Sequence, residues 1–267
     1  MKGNPLTESP EPLALSKIVA MLRAAGSVFA EDEVSLLISE AKTPGELASM
    51  IERRVNGVPI ELIVGWAEFC GLKVAVEGEI FIPRYRTEFL ANQAISLCSP
   101  DSVVVDLCCG SGAIGLAVIS AVPTVRLVAS DIDPTAVRCA IKNLSPFGAP
   151  VFESDLFESI PRELKGKIEV LVANAPYVPS EEIEMMPRDS RLYERRTSLD
   201  GGGDGLEIHR RIAAESRSWL ATGGHLLIEV SERQAAQSAE IFLTNGLEPR
   251  IVTSDEFDAT VVIGTKA

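Results

Sequence analysis

The run Val103-Val104-Val105 stops at Asp106 and passes through Leu107 and Cys108 into Cys109-Gly110-Ser111-Gly112-Ala113, and a second apolar run at 125–129 stops at Ser130-Asp131. A short continuous apolar run, then glycines, then an apolar segment reaching Ser120 reads as a buried strand, a tight turn and a helix. Asp133 and Pro134 open the next helix, because Asp caps orphan N–H groups and Pro suits the first helical position. The same logic predicts strands near 150–152, 168–173, 224–230, 249–254 and 260–264, and helices over 206–220 and 232–245. Strands that alternate with helices demand a mainly parallel sheet covered on both faces, so the chain is expected to be α/β.

Ahead of this region the pattern is different. Residues 12–25 and 32–42 carry apolar residues at helical spacing, and Thr43-Pro44-Gly45-Glu46 is a third helix start in which Thr43 caps and Glu46 reaches back. Residues 59–83 change to short segments around Gly65, Gly71 and Gly78, with alternating apolar residues at 72–76, as in a β-hairpin. The expected organisation is therefore a small helical domain over 1–56, a β-hairpin bridge over 57–86 and an α/β domain over 87–267, with a mobile polar tail at the start. The cofactor-type motifs all lie beyond Asp106, which leaves substrate docking as the functional task for the small helical domain and packing as the plain structural one.

Composition narrows the function. The 267 residues carry 25 Lys and Arg against 38 Asp and Glu, a formal charge of −13, which repels nucleic acid and disfavours a phosphate-tracking surface. The five cysteines show neither C-x-x-C nor Cys/His ligand spacing, so no disulfide framework or zinc site is signalled. No metal is expected. The polar, Pro-rich start lacks the apolar core of a secretory signal, and no apolar run of membrane-spanning length occurs, so the expected location is the cytoplasm.

Two constellations point to chemistry. In the first, Asp106, Cys108, Cys109, Gly110, Ser111 and Gly112 form a strand-to-helix turn, and Asp131 ends the next strand, where a carboxylate can grip both hydroxyls of a ribose. A diphosphate would sit badly beside Asp106, whereas a cationic amino-acid moiety would sit well; S-adenosyl-L-methionine has the ammonium, the ribose and no phosphate. Asp155 and Leu156, after the third strand of the sheet, suit an adenine amino group and ring face, with helix capping as an equal claim on Asp155. In the second, Leu171-Val172-Ala173 runs into Asn174-Ala175-Pro176-Tyr177, and Pro176 forces the chain out of the sheet at the strand's carboxyl end. There the Asn174 oxygen and the Ala175 carbonyl can hold the two hydrogens of a planar NH2 group, with Tyr177 over its flat face. A plain β-turn accounts for these four residues equally well when they are taken alone. A third stretch, from Tyr193 to Arg211, has three consecutive glycines after Asp200, and its charges suit either a solvated face or a bendable loop.

Together these pieces, PIELIVGWAEFCGL, FIPRYRTEFL, VDLCCGSGAIGLA, SDIDP, SDLF, NAPYVP, YERRTSLDGGGDGL and LLIEVSERQ, resemble the protein N(5)-glutamine methyltransferases, the group that includes the enzymes modifying peptide-chain release factors. The likeness runs from about Gly57 to Gly264. It implies a Rossmann-like S-adenosylmethionine-dependent methyltransferase sheet, a protein substrate and a role for Asn174 in binding the glutamine amide. The family's motif has Pro at position 175, but the contact expected there is a backbone carbonyl that Ala175 also supplies. Cys108 stands where Gly is common. Tyr85-Arg86 replaces the Pro and acidic residue typical of release-factor enzymes, which looks like an actinobacterial-type side branch. The competing functions are methylation of an exocyclic amino group of adenine or guanine, for which such turns also serve, and non-catalytic cofactor binding.

Overall fold

The computed structural model describes residues 12–267, with side chains from Leu15 onward; the expected tail lies outside the described residues. Two compact units divide the chain, Met1–Trp66 and Ala67–Ala267.

The first unit contains α1 (Pro12–Ala24), α2 (Ala30–Glu40), α3 (Pro44–Val55) and α4 (Ile60–Val64). Leu22, Val34, Leu37, Met50 and Ile63 form its core. The start of α3 follows its sequence signal, with Thr43 Oγ1 accepting from the Glu46 N–H at 3.1 Å. Glu46 reaches back one residue further than expected, to the Lys42 N–H at 2.8 Å.

The second unit begins with the hairpin β1 (Trp66–Phe69) and β2 (Leu72–Ala75), followed by α5 (Thr87–Leu97), β3 (Val103–Leu107), α6 (Ala113–Ala121), β4 (Arg126–Asp131), α7 (Pro134–Leu144), β5 (Val151–Glu153), β6 (Ile168–Ala173), α8 (Arg188–Tyr193), α9 (Glu207–Trp219), β7 (Leu220–Val230), α10 (Ala235–Thr244), β8 (Glu248–Ser254) and β9 (Ala259–Thr265). Two expectations are corrected. Residues 60–64 are helical, and the hairpin is part of the second unit rather than a separate bridge. The reason is packing: Phe69 and Val74 are fully buried in the core beneath the large sheet, and Asn143 on α7 clasps β2, its Oδ1 accepting from the Ala75 N–H at 2.9 Å and its Nδ2 donating to the Ala75 carbonyl at 3.0 Å.

The described residues form a seven-stranded sheet of order β5-β4-β3-β6-β7-β9-β8. The pairs from β5 through β7 are parallel, and β9 pairs antiparallel with both β7 and β8. Strict alternation along the strands serves both faces. Val104, Val170, Val172 and Leu227 enter one core with α5 and α6, while Val103, Val105, Leu171 and Ala173 enter the other, beside Ile212 and Trp219 of α9 and Phe242 of α10. Continuous apolar strands are the signature of such a doubly covered sheet. The direction of winding reverses between β3 and β6, so their carboxyl ends diverge and leave a crevice, the place where open α/β sheets bind ligands.

Candidate active site

The crevice is a cavity of about 410 Å³ within the second unit. One wall is the turn after β3. Its geometry follows from hydrogen bonds to the end of β4: the Cys109 N–H donates to the Ser130 carbonyl at 3.0 Å, and the Gly110 N–H donates to Asp131 Oδ2 at 2.8 Å. Cys108, Cys109, Gly110, Ser111 and Asp131 all line the cavity. Gly110 adopts φ +54° with open space around the position a Cβ would take, so its need is conformational. Gly112 does not line the cavity. A Cβ there would come within 3.2 Å of the Ala140 Cβ and 3.0 Å of Leu144 Cδ1, so this glycine permits α7 to approach the turn. Cys108 sits at φ +53°, a left-handed conformation that accounts for the frequency of Gly at this position in the resembling family.

Asp131 Oδ1 accepts from the Asp133 N–H at 2.9 Å, so each carboxylate oxygen already has one backbone donor and keeps lone pairs for a further one. Burial raises its pKa, opposed by these same N–H groups. Ile132, exposed at 58 %, also lines the cavity and presents an apolar surface beside that carboxylate. In the sequence its one signal is its place between Asp131 and Asp133 at the strand's end.

Asp106 lies beneath the turn rather than on the cavity wall. It is 0 % exposed; Oδ2 accepts from the Gly115 N–H at 2.9 Å, and Oδ1 has no hydrogen-bond partner. Burial pushes this carboxyl up to about 7, against the Gly115 N–H, with the nearby Asp131 charge adding to the rise. Asp155 and Leu156 also stand away from the cavity lining. Asp155 is held by Arg211 through two contacts of 2.8 Å, and Leu156 is buried at φ +51°.

The opposite wall is the turn after β6, where Asn174, Ala175, Pro176 and Tyr177 all line the cavity. Asn174 Nδ2 donates to Thr87 Oγ1 at 3.3 Å, which leaves Oδ1 as its free acceptor. The Tyr177 hydroxyl donates to Glu229 Oε1 at 3.0 Å. Burial, with Glu229 alongside, pushes the phenol well above its ordinary value. Glu229 is itself 2 % exposed; burial raises its carboxyl, opposed by the Thr87 and Tyr177 hydroxyls and the Arg86 charge. Behind Ala175 lies His209, fully buried, whose ring burial holds down to about 4 despite the Ala175 carbonyl, leaving a neutral imidazole.

The glycine-rich loop explains itself here. The Val178 N–H donates to the Leu199 carbonyl at 3.0 Å and the Gly201 N–H to the Val178 carbonyl at 2.9 Å, while Gln234 Nε2 donates to the Tyr177 carbonyl at 2.9 Å and the Asp204 carbonyl at 3.1 Å. A Cβ on Gly201 would fall 2.7 Å from the Pro176 carbonyl oxygen, and one on Gly205 2.3 Å from that of Tyr177. The glycines let one backbone lie directly on another, and Asp200 locks the loop by accepting from Ser180 Oγ at 2.5 Å and the Gly202 N–H at 3.1 Å. The loop is a clamp on the Asn174–Tyr177 turn rather than a solvated face or a freely bendable loop.

Residues that the sequence patterns did not single out complete the cavity. Thr87, buried and polar, is the most consequential of them; Glu229, equally buried, does not line the cavity but holds the Tyr177 hydroxyl. Phe81 and Arg84 line the mouth, with the guanidinium 5.0 Å over the ring, and Arg84 is ion-paired with Glu194.

The arrangement fits S-adenosylmethionine on its donor set: a carboxylate with spare lone pairs for ribose hydroxyls, an apolar side chain beside it for a base, and a buried carboxyl with an unpartnered oxygen under the turn for a cation. Known proteins agree. The methyltransferase small domain matches residues 87–204. A release factor glutamine methyltransferase of Geobacter sulfurreducens is 32% identical over 87% of this chain and 84% of its own length, and that of Mycolicibacterium smegmatis is 32% identical over 88% and 84%. Among solved structures, a methyltransferase from Pyrococcus furiosus superposes with a TM-score of 0.54 over 74% of this chain and 90% of its own, at 12% identity, a likeness of fold. With 32% of the aligned residues identical across most of both chains' lengths, this chain belongs to the release factor glutamine methyltransferase family.

Proposed function

We propose that the protein methylates the side-chain amide nitrogen of a glutamine in a protein substrate, a release factor or a related translation protein, with S-adenosyl-L-methionine as donor. One observation carries the reading: at the carboxyl end of β6, Asn174 is anchored through its amide nitrogen to Thr87, so that its oxygen is the acceptor offered to the cavity. When bound, S-adenosylmethionine supplies an electrophilic sulfonium methyl group. An amide nitrogen is a poor nucleophile because its lone pair is delocalised, so the protein's contribution is orientation in a dry pocket. Asn174 Oδ1 and the Ala175 carbonyl accept the two N–H hydrogens and direct the nitrogen lone pair; Tyr177, with its hydroxyl tied to Glu229, covers the amide plane. One amide hydrogen is exchanged for methyl and leaves as a proton. The chain's charge of −13 favours a protein over a nucleic acid as acceptor. The five unpaired cysteines favour a reducing compartment, the cytoplasm, and no helix among the described residues is long and apolar enough to cross a membrane.

The test is incubation of the purified enzyme with S-adenosylmethionine and release factor, followed by peptide mass spectrometry. One added methyl group on a glutamine side chain is expected; transfer only to nucleic acid would overturn the reading.

Asp131 is assigned to the ribose hydroxyls. Because hydrogen bonds to a charged group are worth roughly 1.5 to 3 kcal/mol, Asp131→Ala should weaken cofactor affinity about tenfold to a hundredfold. Calorimetry on the folded variant checks this, and unchanged affinity would remove the assignment.

The small helical domain is assigned to docking the protein substrate, since every residue lining the cavity lies in the second unit. A chain lacking residues 1–56 should bind cofactor normally and lose transfer to intact release factor. Equal transfer by the truncated and full chains would make those helices structural only.

A further inference from the structure

One segment of the second unit forms a wall of the cavity without a core of its own. It runs from Met186 through α8 to Leu199, and Met186, Ser190, Arg195, Thr197 and Leu199 all line the cavity. Between Ile183 and Leu199 no apolar side chain is buried; the two buried residues, Ser190 and Glu194, are polar. A segment with so few buried apolar contacts stays in place through its polar ones and opens at low cost.

Two neighbouring residues supply such contacts toward different walls. Glu194 is ion-paired with Arg84 at the mouth, where Arg84 Nη2 also donates to Ser190 Oγ at 3.3 Å. Arg195 turns to the cofactor wall. Its Nη1 lies 3.1 Å from Asp133 Oδ1, its Nη2 donates to Thr135 Oγ1 at 3.2 Å, and Glu79 Oε2 is 3.9 Å from its Nε. Asp133 in turn steadies the end of β4: its N–H donates to Asp131 Oδ1 at 2.9 Å, and its Oδ1 caps α7 by accepting from the Thr135 N–H at 2.8 Å.

We infer that Arg195 is a latch that fastens the 186–199 segment onto the Asp131–Asp133 turn, and that its release governs how fast the cofactor enters and leaves. The inference rests on the assignment of that turn to S-adenosylmethionine, and not on the nature of the methyl acceptor. The grip is weak enough to open. The Arg195 side chain is 43 % exposed and that of Asp133 13 %, and an exposed ion pair is worth at most about 1 kcal/mol, about fivefold in an opening equilibrium. A latch changes entry and exit together, because the pocket opens more often while the contacts to the bound molecule stay as they were.

Arg195→Ala should therefore speed association and dissociation of S-adenosylhomocysteine about fivefold each and leave Kd within about twofold. Surface plasmon resonance on the immobilised full chain reads both rates. S-adenosylhomocysteine is the probe because its ammonium and carboxylate cancel, so that salt does not act on it by steering. Raising sodium chloride from about 0.05 to about 0.5 M should speed exchange in the wild type by screening the latch, and leave Arg195→Ala nearly flat. In Arg195→Glu the same salt should slow exchange, because it screens a repulsion from Asp133 and Glu79 that holds the segment open.

A wild-type association rate in Arg195→Ala, or the same salt response in the wild type and Arg195→Glu, would overturn the inference and make Arg195 a plain surface ion pair. Both substitutions are at an exposed position. Unchanged affinity in Asp131→Ala would remove the premise that the cofactor lies at this turn. None of these readouts involves methyl transfer, so failure of the glutamine reading leaves the latch standing.

Discussion

Asn174→Ala is expected to reduce transfer by at least about a hundredfold, a barrier increase of about 2.7 kcal/mol, while S-adenosylmethionine binds nearly as before. The variant leaves the turn in place, because the backbone there is fixed by Pro176, by the pairing of Val178 with Leu199 and Gly201, and by the Gln234 amide on the Tyr177 carbonyl. What disappears is the acceptor that, with the Ala175 carbonyl, aims the substrate nitrogen. Asn174→Asp is the finer comparison. A carboxylate keeps the acceptor but has no donor for Thr87. Its activity should lie between those of the wild type and Asn174→Ala. The measurement is single-turnover methylation of release factor by each folded protein. Equal rates for wild type and Asn174→Ala would reduce the Asn174–Tyr177 segment to a β-turn beside a nucleoside pocket.

Asp106→Asn is expected to stabilise the protein while weakening the cofactor site. Burial raises the Asp106 carboxyl from 3.8 to about 7. A carboxyl whose folded value is raised opposes folding when ionised. Stability is therefore greatest below about pH 3.8, as far as this group is concerned, declines as pH rises toward 7, and is flat above. A rise of about three units corresponds to about 4 kcal/mol at pH 8, the upper bound on what a neutral isostere recovers. Asn keeps the acceptor for the Gly115 N–H and removes the repulsion from Asp131. Denaturant titrations should then show Asp106→Asn more stable than wild type at pH 8, with the gap closing toward pH 5. Affinity for S-adenosylmethionine should fall, because the negative potential beneath the turn is gone. A variant no more stable than wild type at pH 8 would mean that the Asp106 carboxyl is not raised in the folded protein.

Much of this protein is decided locally. Val103-Val104-Val105, the 125–129 run and Ile168–Ala173 are apolar almost without interruption, and only a strand covered on both faces satisfies them, so the α/β architecture follows from the residues. The turn after β3 and the break at Pro176 are equally local, since Gly110 must adopt positive φ and Pro176 cannot pair. Cys108, Cys109, Gly110, Ser111, Asp131 and Asn174–Tyr177 could for that reason be named from sequence alone, and all line one cavity.

What the sequence could not decide is how groups distant along the chain share a buried volume. Asp155 shows this: its pairing with Arg211, far along the chain on α9, settles its contacts, and a helix cap or adenine ligand was as consistent with its neighbours. Gly112 reads as a ligand glycine, yet the side chains of α7 fill the space a Cβ would need. The glycine-rich stretch after Asp200 reads as a solvated face or a bendable loop and instead forms a clamp, because only the fold brings Gly201 and Gly205 onto the carbonyls of Pro176 and Tyr177. Thr87 and Glu229 carry no local signal at all: a Thr at a helix start and a Glu in an apolar strand are ordinary until the sheet order sets β7 beside β6, so that the Tyr177 hydroxyl meets Glu229 and the Asn174 amide meets Thr87. Backbone preferences act over a few residues and are written in the sequence there, whereas desolvation and hydrogen-bond satisfaction depend on everything within a few ångströms, which only the tertiary structure assembles.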